Sequence, residues 1–104
     1  MFKLSFYVPE SHLEVIKTAL FRIGVGKIAN YDSCSWQALG QGQFRALKGS
    51  KPFLGQEGEL ENVAEYKVEM VCEDALIKTA VTTLITAHPY EEPAYDVVKL
   101  AEIE

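Results

Sequence analysis

The feature that most constrains the fold of this chain is an ordered repetition of periods. Twice, a run that alternates apolar and polar residues gives way to a run with helical spacing. Phe2, Leu4, Phe6 and Val8 alternate with Lys3, Ser5 and Tyr7, the pattern of a strand with one buried face, and Pro9 stops it. Leu13, Ile16, Leu20 and Ile23 follow at helical period and end at Gly24 and Gly26. Ser11, with Glu14 three residues on, has the spacing of a capping box. In the second cycle, from Glu61 to Cys72, Tyr66, Val68, Met70 and Cys72 face one way and Glu65, Lys67 and Glu69 the other. Ile77, Val81, Leu84 and Ile85 then form an amphipathic helix, entered through Glu73 and Asp74, whose charge suits the positive helix end. Pro89 forbids its continuation, because the residue before a proline is pushed out of helical dihedrals. Residues 94–100 read as a last strand.

Between the two cycles, residues 28–38 and 43–47 read as a hairpin that turns at Gly40-Gln41-Gly42. Five of the seven glycines lie between residues 40 and 58, together with Pro52, which marks an irregular loop of about 12 residues. In this order each helix follows one strand and returns to the sheet, as in a split βαβ arrangement. The expectation is a single α+β domain over residues 1–104: a ferredoxin-like antiparallel sheet with two helices on one face. The other face is left partly bare, so self-association is predicted.

Charge and composition narrow the function classes. The net charge is −5, from 10 bases against 15 acids. Seven acids fall between Glu57 and Asp74 against the single base Lys67, whereas residues 39–56 carry Arg45, Lys48 and Lys51 and no acid. A chain this acidic is a poor general binder of nucleic acid, which needs clustered cations. Those three cations are candidates for receiving a phosphorylated ligand, or simply for keeping a loop solvated. No apolar run approaches the ~20 residues of a membrane span. The first residues lack the apolar block of a signal peptide, so a cytoplasmic location and no membrane partner are expected. Cys34 and Cys72 sit in strand-like alternation and are expected as buried, reduced thiols.

Among candidates for chemistry, the phosphate loops fail. Gly24-Val25-Gly26-Lys27 has Phe21 and Ile28 where a P-loop needs glycine and a hydroxyl, and it follows a helix instead of opening one. Gly40-Gln41-Gly42 lacks the third glycine of a dinucleotide fingerprint. No nucleophile has a base at a diagnostic spacing; Cys34 with His88 has no support from the pattern. The remaining stretch is Ala87-His88-Pro89-Tyr90-Glu91-Glu92-Pro93-Ala94-Tyr95-Asp96. His88, Glu91 and Glu92 are a candidate set for a divalent metal ion, with Cys34 or Cys72 as further donors. The competing reading has an imidazolium of His88 capping the helix end, with Glu91 and Glu92 as wet turn carboxylates and Tyr90 and Tyr95 packing.

Several stretches carry a family resemblance in order along nearly the whole chain. They are Val8-Pro9-Glu10, Ile28-Ala29-Asn30-Tyr31, Cys34-Ser35-Trp36, Gly40-x-Gly42-x-Phe44, Gly55-x-x-Gly58-x-Leu60-Glu61 and His88 to Asp96. Together they resemble the YqfO family, relatives of the NGG-interacting factor. The resemblance implies an insert domain similar to the PII signalling protein and the divalent-cation tolerance protein CutA. It also implies a homo-oligomer, a trimer before a dimer, and a mobile loop after the second strand. The larger members carry two flanking halves resembling a GTP-cyclohydrolase-type enzyme with a dinuclear metal centre, for which 104 residues leave no room. A non-catalytic binding or regulatory module is therefore expected, taking a small metabolite or a partner protein. Its candidate contacts are His88, Tyr90, Glu91, Glu92, Tyr95, Arg45, Lys48 and Lys51. A divalent-metal binder is the alternative, and a metal-assisted hydrolase by family association the third reading.

Overall fold

Strand β1 (Phe2–Val8) runs through the middle of a four-stranded sheet, because its apolar row is long enough to meet both helices at once. The computed structural model describes residues 1–103, and the elements follow as α1 (Glu10–Arg22), β2 (Trp36–Arg45), β3 (Leu60–Cys72), α2 (Ile77–Ala87) and β4 (Tyr95–Lys99). The strands lie in the order β2-β3-β1-β4, and every neighbouring pair is antiparallel. This is the split βαβ arrangement expected from the alternating periods.

The central strands carry the core. Leu4, Phe6 and Val8 of β1 and Val68, Met70 and Cys72 of β3 pack under Leu13, Ile16 and Leu20 of α1 and under Ala80 and Leu84 of α2. All of these are nearly or fully buried. The outer strands differ: β4 is exposed along its whole length, and Trp36 and Leu39 of β2 are exposed. Register places Lys3, Tyr7, Lys67 and Glu69 on the face away from the helices, together with Trp36 and Val98, and both of these apolar residues are solvent-facing.

The expected hairpin within residues 28–47 does not form. Residues 28–31 make a tight turn closed by reciprocal backbone hydrogen bonds between Ile28 and Tyr31. Trp36–Arg45 is one unbroken strand that passes straight through Gly40-Gln41-Gly42 and pairs with β3 at every position. Neither Gly40 nor Gly42 has the positive φ of a turn glycine. The irregular loop is accordingly residues 46–59, and half of β3 lies beyond the end of β1. Leu60–Glu65 therefore pairs with β2 alone, as a two-stranded arm about 20 Å long at ~3.3 Å per residue. The molecule is correspondingly elongated, 49 × 23 × 21 Å.

Two further details depart from the sequence reading. The capping box is absent: α1 starts at Glu10 with Pro9 as its N-cap, and the Ser11 hydroxyl bonds His12 Nδ1 at 2.8 Å instead. Cys72 is buried as expected, but Cys34 is half-exposed in the bend before β2, and both thiols are free.

That bend depends on Gly26, whose N–H donates to Val71 at 2.8 Å while its carbonyl accepts from the Cys34 N–H at 2.8 Å. Its φ is +78°, and a Cβ there would lie 2.6 Å from the Cys34 carbonyl oxygen. Gly49 has a comparable φ of +94° with open space around it. Gly26→Ala should therefore cost several kcal/mol in denaturant unfolding, whereas Gly49→Ala should cost about 1 kcal/mol, the backbone penalty alone. Equal losses would remove the steric role assigned to Gly26.

Candidate functional site

The end of α2 is set by His88, whose extended backbone (φ −76°, ψ 138°) is what the following Pro89 demands. The His88 side chain turns inward and is 6% exposed. Its Nε2 lies 2.6 Å from the carbonyl oxygen of Tyr7 near the end of β1, and its Nδ1 accepts the Tyr90 N–H at 3.1 Å. An acceptor at Nδ1 and a carbonyl at Nε2 fit only the neutral ring protonated at Nε2. The charged helix cap expected from the sequence is therefore corrected. The ring joins the end of β1 to the turn after α2, and burial lowers its pKa against the opposing pull of the Tyr7 carbonyl.

Tyr90, held in this way, reaches the arm. Its hydroxyl donates to Glu65 Oε2 at 3.0 Å, and its ring packs near Phe44, Phe53 and His88. Burial first, then the bond to Glu65, raises the phenol pKa. The Glu65 side chain folds over Gly42, where a Cβ would fall 2.0 Å from Oε1, so this position of the carboxylate needs the bare backbone beneath it. From the loop, the Lys51 N–H donates to Glu91 at 3.0 Å, and Phe53 meets His12 edge-on.

Arm, loop and turn together enclose a half-open cavity of about 720 Å³. Its walls are mostly apolar, from Tyr7, Ala38, Phe44, Phe53 and Tyr90, with Glu65 and Lys67 set among them. A concave apolar space with a few polar groups is the usual form of a small-molecule site. Of the expected contacts, Tyr90, Glu91, Glu92 and Arg45 line it; His88 stands behind Tyr90. Lys48 and the exposed Tyr95 are not in the walls, and Lys51 meets the site through its backbone. Among the described residues no three His, Cys, Asp or Glu side chains converge as metal donors, and both His88 nitrogens are already engaged. Phe53, Glu65, Lys67 and Tyr7 were not singled out from the sequence. The one available signal was Phe53, a lone aromatic beside Pro52 in an otherwise glycine-rich loop.

No family model matches the chain. It is 41% identical over 101 residues to the "GTP cyclohydrolase 1 type 2 homolog" of Halalkalibacterium halodurans, covering 97% of this chain and 27% of that protein. The Bacillus subtilis protein of the same name is 42% identical over 95 residues, covering 91% and 26%. The chain thus spans about a quarter of the length of these relatives. Among solved structures, a Bacillus cereus protein related to NIF3 superposes with a TM-score of 0.83 at 36% identity, covering 97% of this chain and 26% of that one. The PII-like protein CutA of Nostoc gives 0.70 at 20% identity, covering 96% and 81%. At that identity the likeness shows the fold, which is CutA/PII-like. The resemblance to the YqfO family drawn from the motifs holds across the whole chain.

A neutral buried histidine makes stability depend on pH with a definite sign. Its folded pKa lies below the unfolded value near 6.5, so the unfolded chain binds more protons. The contribution is complete above that value and is lost as pH falls through it. Between pH 7.5 and pH 5 the melting temperature should drop, and in His88→Gln, which starts lower, it should drop less. An identical slope in the variant would mean that His88 does not titrate against folding.

Proposed function

We propose that this chain is a small non-catalytic binding module that self-associates and takes a metabolite in the cavity between the arm and the 88–94 turn. The cavity carries the reading: it is walled by three separate parts of the chain and sets the carboxylates of Glu65, Glu91 and Glu92 and the cations of Arg45 and Lys67 around aromatic surface. The matched relatives are about four times longer, and the YqfO resemblance implies that the module stands to them as an insert stands to the body around it. Self-association follows from the uncovered sheet, since Trp36 is 59% and Val98 54% exposed on the side that bears no helix. A trimer is favoured, as the YqfO resemblance implies. No helix among the described residues is long and apolar enough to cross a membrane.

Native mass spectrometry of protein purified from its own cells reads both halves of the proposal. The expected spectrum shows multiples of the 11.6 kDa chain, three copies foremost, each carrying a small molecule. Ala38→Trp, which fills the cavity from an exterior strand, should keep the subunit number and lose the molecule. A lone protomer at every concentration overturns self-association. A molecule retained equally by the variant, or absent from both proteins, overturns the cavity as its site.

A further inference from the structure

Gly40 is not explained by the folded chain. Its φ is not positive, and the nearest atom to an added Cβ is a Glu65 backbone oxygen 4.0 Å away, so a Cβ would fit without strain. At Gly42, by contrast, an added Cβ would displace the end of the Glu65 side chain. A glycine inside a strand weakens it, and it marks a place where a ligand or another backbone comes close. Here the bare backbone of Gly40 forms part of the cavity floor, with the rings of Phe44 and Tyr90 set around it.

The polar groups say what would lie there. Glu65 Oε2 takes the Tyr90 hydroxyl, while among the described residues no donor reaches Oε1. Oε1 is not a buried orphan either; it lies over Gly42, and both residues line the cavity. Lys67 lines the same cavity two residues along, on the same side of β3, about 7 Å from Glu65 at ~3.3 Å per residue. Among the described residues its ammonium has no ion-pair partner.

We infer that the cavity takes a flat heteroaromatic acid: its ring lies on the Gly40 backbone beside Tyr90, an N–H edge donates to Glu65 Oε1, and its anionic group meets Lys67. This deepens the module reading and rests on it. Charge-assisted hydrogen bonds of this kind are the strong ones, and each sets one end of the ligand.

The probe is 2-aminobenzimidazole-5-carboxylate, titrated by calorimetry into the intact oligomer. It should bind roughly tenfold or more tightly than either 2-aminobenzimidazole or benzoxazole-5-carboxylate, which lack the acid and the N–H donors respectively. Glu65→Gln should weaken the full probe by about tenfold and leave benzoxazole-5-carboxylate unchanged; Lys67→Met should do the converse, leaving 2-aminobenzimidazole unchanged. Gly40→Val should abolish binding of all three while circular dichroism and subunit mass stay as in the parent. Three results overturn the inference: a full probe no tighter than its truncated forms, Gly40→Val binding normally, or Gly40→Val splitting the oligomer, which would assign the bare backbone to a neighbouring copy. If the probes fail while the native spectrum still shows a molecule lost in Ala38→Trp, the ligand class is wrong and the module reading stands.

Discussion

The neutral ring of His88 is the contact on which the functional end of the molecule depends. One side chain closes two hydrogen bonds in different directions, to the carbonyl of Tyr7 in β1 and from the N–H of Tyr90 in the turn. Without it both backbone groups would lose their partner in a half-buried place, at a cost of about 1–3 kcal/mol each. The consequences run outward. Tyr90 is fixed, so its hydroxyl meets Glu65; Glu65 is fixed, so the arm is held beside the turn; and the space between them becomes a cavity of stable shape. Pro89 contributes by ending α2 where the ring can point inward.

Much of the fold was legible because most elements obey a single period. β1, α1, β3 and α2 each bury one row, and that row can be counted in the sequence. β2 was misread for an identifiable reason. Its alternation is Trp36, Ala38, Gly40, Gly42 and Phe44 against Gln37, Leu39, Gln41, Gln43 and Arg45, with two glycines in one row and three glutamines in the other. Neither row looks buried, because neither contributes to the core, and Gly-x-Gly then mimics a turn. The capping-box spacing was present but α1 begins one residue before Ser11, at Glu10.

The site was legible in part. The 88–94 turn stood out by composition, and Tyr90, Glu91 and Glu92 do line the cavity. The charge state of His88 could not be read, because it depends on burial in the folded chain and on Nδ1 accepting the Tyr90 N–H. Glu65 and Lys67 were hidden differently. They sit in the polar row of β3, which by period alone is the solvent face, and only the loop and the turn lying beside that row make it a wall.

The position of the cavity bears on what a module of this kind does. An isolated two-stranded ribbon is marginal in water, and residues 60–65 with their partners in β2 have no third strand. What ties this arm to the body is the Tyr90–Glu65 hydrogen bond and the packing of Phe44 near Tyr90, while the loop at its tip is tied by the Lys51–Glu91 contact and by Phe53 against His12 and Tyr90. These contacts lie at the rim or wall of the cavity. An occupant touching both the arm and the turn adds to the same few contacts, so occupancy and arm position are thermodynamically linked, and each biases the other by the same free energy.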